Sequence, residues 1–90
     1  MALFYSARHG RSYMNCSIEY ILDPFNADET CEGIIENISE SGLCLITPTP
    51  LKEGQEIMIK SLIYLPSQTA TVCWVKQEDD VYRVGLKFTS

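Results

Sequence analysis

Apolar and polar residues alternate along much of this chain with a period of two, as expected of half-buried strands, and turn-forming residues cut the alternation into short pieces. Cys16, Ile18, Tyr20 and Leu22 alternate with Ser17, Glu19 and Ile21, which predicts a first strand over 13–22. Asp23-Pro24-Phe25-Asn26-Ala27-Asp28 supplies the turn chemistry that ends it. The stretches 31–38 and 42–47 are rich in apolar residues around the polar run Glu36-Asn37-Ile38-Ser39-Glu40-Ser41-Gly42, and they predict an antiparallel pair joined through it. A helix across 31–47 is disfavoured, because Gly33, Gly42 and several β-branched residues would sit inside it. Thr47-Pro48-Thr49-Pro50 breaks the next connection.

A fourth strand is expected over 57–65, with Pro66 ending it or marking an edge because proline has no N–H to give to a ladder. In the fifth, Ala70, Val72 and Trp74 fall on one face and Thr71, Cys73 and Val75 on the other; Trp74 is assigned to the core in preference to an interface. Residues 76–80 read as a short charged link in which Glu78-Asp79-Asp80 is a solvated hairpin turn. In the last strand Tyr82, Val84, Leu86 and Phe88 alternate with Arg83, Gly85 and Lys87. Six short strands without a helical stripe predict an all-β fold, an antiparallel barrel or sandwich. Closure is attractive in so small a chain because it removes exposed sheet edges.

Ninety residues suit one compact domain with a modest core. Residues 1–12 show neither alternation nor a helical stripe and are expected to form a flexible arm, or a frayed terminus, ahead of a domain over 13–90. No apolar run approaches the roughly 20 residues of a membrane-spanning helix, and the first residues lack the basic start and apolar run of a signal peptide. A cytoplasmic domain without membrane insertion is therefore expected. Cys16, Cys31, Cys44 and Cys73 are widely spaced, with no Cys-x-x-Cys pair, and are assigned as buried structural thiols ahead of disulfides or a metal site.

Charge changes the picture more by its distribution than by its total. The net charge is −5, yet residues 1–18 carry Arg8 and Arg11 and no carboxylate, while the remainder carries five basic and twelve acidic side chains. A DNA or RNA backbone would meet mostly negative surface. A small anion beside the basic end is compatible with this split.

Several stretches taken together resemble the PilZ family of small β-barrel domains. They are Gly33-Ile34-Ile35-Glu36 leading into Asn37-x-Ser39-x-x-Gly42, then Leu51-x-x-Gly54-x-x-Ile57, Ala70-Thr71-Val72-Cys73-Trp74-Val75 and Tyr82-Arg83-Val84-Gly85-Leu86-Lys87-Phe88. The resemblance implies a six-stranded antiparallel barrel, and the C-terminal helix of many relatives is not expected here. It also implies a receptor for the bacterial second messenger cyclic di-GMP that acts by changing its contacts with a protein partner. Monomer and homo-oligomer are both compatible.

The family's binding motifs are Arg-x-x-x-Arg near the N-terminus and Asp or Asn-x-Ser-x-x-Gly. By resemblance, Arg11 takes the second arginine position; the first falls on Ala7, with Arg8 one residue away. Alanine cannot replace the planar fork of donors with which arginine grips phosphate or a guanine edge, so Arg8 would have to substitute. Asn37 offers an amide acceptor and donors to guanine, Ser39 a hydroxyl donor, and Gly42 a tight turn and close backbone approach. The expected cyclic di-GMP contacts are thus Arg8, Arg11, Asn37, Ser39 and Gly42. The bland alternative is a structural turn that binds nothing. Glu36 and Glu40 would oppose an anion if they faced it.

Catalysis is not expected. His9 has no second histidine or cysteine near it in sequence to hold a metal, Ser39 lacks a plausible base and acid, and no cofactor site is apparent. The alternative to a receptor is a PilZ-like protein-interaction module that has lost the ligand.

Overall fold

The computed structural model describes residues 12–26, 28–61 and 63–89, with side chains from Asn15 onward. Six strands are formed: β1 (Ser12–Ile21), β2 (Thr30–Ile38), β3 (Gly42–Thr47), β4 (Glu56–Lys60), β5 (Thr69–Glu78) and β6 (Val81–Thr89). Every pairing is antiparallel, and the order β1-β2-β3-β6-β5-β4 closes on itself through β1 and β4. The expected six-stranded antiparallel barrel is what the chain forms, with no helix among the described residues. Its interior is filled by the apolar half of each alternating strand, including Ile18, Tyr20, Ile35, Leu45, Val72 and Val84.

Three local departures from the alternation shape the molecule. The fourth strand stops at Lys60, five residues short of its expected end. Ser61 Oγ accepts the Ile63 N–H at 3.1 Å, and the chain turns inward so that Leu65 is buried in the core from a loop. An apolar side chain buried from a loop looks the same in sequence as one buried from a strand.

The fifth strand runs on to Glu78, because Lys76, Gln77 and Glu78 pair with Arg83, Tyr82 and Val81. The supposed link is the end of a long hairpin turned by Asp79 and Asp80, with Asp79 at φ 56, a left-handed conformation that aspartate tolerates better than most residues.

The third departure is a register shift in β5 between Val72, opposite Leu86, and Trp74, opposite Gly85. Cys73 is the extra residue of a bulge, which reverses the phase of everything after it. Val75 therefore turns toward the core and Trp74 toward solvent, with 44% of its surface exposed, which corrects its assignment to the core.

Cysteine burial is likewise uneven. All four thiols are free, but only Cys44 is buried; Cys16 and Cys31 are partly buried, and Cys73 is exposed at the β5 bulge, which corrects the assignment of all four as buried thiols. No helix among the described residues is long and apolar enough to cross a membrane.

One buried polar cluster joins β1, β2 and the end of β3. Thr47 is fully buried; its Oγ1 lies 3.0 Å from the Glu32 carbonyl, 2.6 Å from Tyr20 Oη and 3.2 Å from the Thr49 N–H. A hydroxyl has one proton to give, so Thr47 donates to Glu32 and accepts from Tyr20 and Thr49. Burial pushes the Tyr20 phenol above its ordinary pKa, keeping it the donor. Thr47→Val, which keeps the shape and strands three partners, is expected to cost about 2 kcal/mol in chemical denaturation, whereas Tyr20→Phe, which leaves two of the bonds to Thr47 intact, should cost about half as much. Equal stability of the Thr47→Val variant and wild type would show that water satisfies these groups.

Candidate functional site

Backbone register assembles the site on the outside of the barrel. Asn37 of β2 lies opposite Cys44 of β3, Cys44 opposite Gly85 of β6, and Gly85 opposite Trp74 of β5. Residues opposite one another share a face of the sheet, so these four form a transverse row whose sequence neighbours Ile38, Leu45, Val84 and Val75 pack into the core. The row is aligned by bulges: β2 shifts register between Ile35 and Asn37, as β5 does between Val72 and Trp74. Such bulges re-aim side chains, here those of Asn37 and Trp74. The next row toward the β2–β3 loop contains Gly42, Lys87 and Thr71.

The loop itself is a tight hairpin fastened to β6. The Ser39 N–H donates to the Gly42 carbonyl at 2.8 Å, and the Phe88 N–H donates to the Ser41 carbonyl at 2.8 Å. Ser39 Oγ lies 3.4 Å from the same Gly42 carbonyl and 3.2 Å from Ser41 Oγ. Of the two reasons for glycine at position 42, close approach is the operative one. A Cβ there would stand 2.0 Å from the Leu86 carbonyl oxygen, and the residue is not in the left-handed region.

Of the five expected contact residues, Asn37, Ser39 and Gly42 therefore meet at one end of the row. Asn37 is 8% exposed and Ser39 is partly exposed. Arg8 and Arg11 lie outside the described residues. The described chain begins at Ser12, which pairs with Ile38, and continues with Tyr13 opposite Asn37.

Trp74, not expected on this surface, occupies the other end. A Cβ on Gly85 would fall 2.0 Å from Trp74 Nε1, so the indole lies directly on the glycine backbone. The sequence signal was Gly85 itself, because glycine inside a strand often marks a place where another group approaches closely.

Glu36, between Ile35 and Asn37 in the β2 bulge, does not stand as an unopposed anion. Its Oε1 accepts from Arg83 Nη1, and Arg83 Nε also lies 3.3 Å from both carboxylate oxygens of Glu78. Lys76 Nζ is 3.8 Å from Glu78. Hydrogen bonding from Arg83 lowers the Glu78 pKa, and the same contact raises that of Arg83. Cys44 Sγ sits 3.8 Å from Glu36 Oε1, and its pKa is raised first by burial and then by that carboxylate, so it is a neutral thiol, not a reactive thiolate. Glu40 is exposed.

The outer face thus offers an amide and a hydroxyl at one end, an open aromatic ring at the other, and a largely neutralised ionic cluster beside them. A groove of about 530 Å³ above β1 is a poorer seat for an anion, since the carboxylates of Glu19 and Glu32 outnumber the Lys60 ammonium in its lining. Among the described residues, no group of three or more His, Cys, Asp or Glu side chains is placed to hold a metal ion.

Residues 7–90 match the family model of the PilZ domain. The chain belongs to the PilZ family. PilZ domains are a class of non-catalytic cyclic di-GMP receptors and adaptors. A comparison with curated proteins finds no match. In this PilZ domain the Asn-x-Ser-x-x-Gly segment covers the turn from β2 into β3, and the Tyr-Arg-Val-Gly-Leu-Lys-Phe segment is β6, the strand to which that turn is fastened.

Proposed function

We propose that this PilZ domain is a bacterial, cytoplasmic, non-enzymatic receptor or adaptor that binds cyclic di-GMP across the outer face of its barrel and couples occupancy to a protein partner. The observation that carries the reading is the single transverse row with Asn37 at one end and the exposed Trp74 at the other. A planar base has a π-face to stack on the indole, and a second base or a phosphate has hydrogen-bonding partners at Asn37 and Ser39.

The residues ahead of β1 act as the arm that brings Arg8 and Arg11 to the phosphates and purine faces. Chain length permits this: four extended residues, the separation of Arg8 from Ser12, reach about 14 Å, matching the roughly 14 Å of three strand spacings from Ser12 on β1 across to β6. Ordering the arm costs conformational entropy, which the charge-assisted arginine bonds offset. Signalling follows if a partner has different affinity for the arm-ordered and arm-free states. No cofactor or metal enters this mechanism.

The test is calorimetric titration of the wild-type domain with cyclic di-GMP, with cyclic di-AMP as comparison, followed by Arg11→Ala. Saturable, guanine-preferring binding that Arg11→Ala removes without unfolding the barrel is the expected result. Failure of the folded wild type to bind would favour a ligand-independent protein-interaction module, the reading supported by Ala7 in the first arginine position.

A further inference from the structure

The barrel carries five cations among its described residues, and their placement is uneven. Lys76, Arg83 and Lys87 all occupy the outer face around Trp74, while Lys52 and Lys60 lie elsewhere. The three near Trp74 are not equivalent. Arg83 is gripped by Glu36 and Glu78, and Lys76 is within reach of Glu78. Lys87 is exposed, and no carboxylate among the described residues pairs with it.

The position of Lys87 is more specific than its charge. It stands opposite Gly42 on one side and Thr71 on the other, and two residues along β6 from the Gly85 that underlies Trp74. It therefore projects between the aromatic end of the site and the Ser39–Gly42 turn, over a floor that Gly42 leaves without a side chain. One strand spacing of about 4.8 Å and two residues of about 6.8 Å separate it from these neighbours. The four-carbon stem of lysine spans either interval.

Resting on the receptor reading above, we propose that Lys87 contacts a phosphate of the bound dinucleotide, so that β6 itself supplies a cation to a site whose N-terminal motif has alanine in one arginine position. The ligand then lies with one base on Trp74, the adjacent phosphate at Lys87 and the remaining polar edge at Asn37 and Ser39. A flexible ammonium suits this role because it acts as a point charge and does not require planar pairing.

The experiment compares cyclic di-GMP titrations of wild type, Lys87→Gln, Lys87→Arg and Lys76→Gln at low and at physiological salt. Lys87→Gln should weaken binding about tenfold and flatten its salt dependence, Lys87→Arg should restore most of it, and Lys76→Gln should change it less than twofold. Thermal melts should be unchanged, since the side chain is exposed. Wild-type binding with an unaffected Lys87→Gln, or an equal loss in Lys76→Gln from a general field effect, would overturn the role of Lys87 and leave the receptor reading standing. A wild type that does not bind would overturn both.

Discussion

Gly42→Ala is expected to destabilise the barrel by roughly 3 kcal/mol, a large share of what a domain of this size has to spare. The added methyl would stand 2.0 Å from the Leu86 carbonyl oxygen and 3.2 Å from the Lys87 Cα, so the obstacle is backbone and cannot rotate away. β3 and β6 would have to part at the point where Gly42 pairs with Lys87, disturbing the Phe88 N–H bond to Ser41 that fastens the loop. For a domain of under 100 residues, such a loss lowers the melting temperature by roughly 12–24 °C. Ser41→Ala is the control: it removes an exposed hydroxyl whose contact is Ser39 and should shift the melt by no more than about 2 °C. A Gly42→Ala variant as stable as wild type would mean that the β3–β6 spacing is not what demands glycine, leaving ligand approach as the reason.

That result bears on how a binding motif and a structural motif come to share residues. Ser39 and Gly42 are joined to each other and, through Ser41, to β6, so the turn that presents candidate ligand groups also locks the β2–β3 hairpin onto the barrel. In the sequence these roles were alternatives. In the fold the two roles are compatible, because the bonds from the Ser39 N–H to Gly42 and from the Phe88 N–H to Ser41 are made by backbone atoms, whereas the ligand contacts proposed above would be made by the Asn37 and Ser39 side chains.

The interior of the barrel was legible because strand periodicity is an integer. Ile18 and Tyr20 on β1, and Val84 and Leu86 on β6, face inward as alternation requires. It failed where one inserted residue changed the phase. Cys73 is the extra residue in β5, and since Trp74 is apolar on either face, nothing in its identity reported the reversal. The pairing of Glu36 with Arg83 was equally hidden: the residues lie 47 apart in sequence and meet across β3 only after the barrel closes. Asn37, Ser39 and Gly42 are adjacent in the chain and could be grouped by motif. Trp74 and Lys87 join them only through register, which a linear motif does not encode.

Trp74→Ala should reduce cyclic di-GMP affinity about 10- to 100-fold, the loss expected when a base loses its aromatic stacking partner. The same substitution should lower stability by only about 1 kcal/mol, because the indole rests on Gly85 outside the core cluster and remains 44% exposed. This separates a platform from a structural anchor: an anchor would lose stability and binding together. Trp74→Phe should recover part of the affinity, as a smaller ring still offers a π-face. Gly85→Ala provides an independent approach, since its methyl would occupy the space of Trp74 Nε1 and displace the ring while leaving it in the protein. Both Trp74→Ala and Gly85→Ala should weaken binding, the latter with an altered indole emission in the free state. Trp74 is the chain's single tryptophan, so stacking can be followed directly as a ligand-dependent change in wild-type fluorescence. Saturable calorimetric binding that leaves this emission untouched, together with unchanged affinity in Trp74→Ala, would place the ligand away from the Asn37–Trp74 row and return the indole to the role of a protein-contact residue.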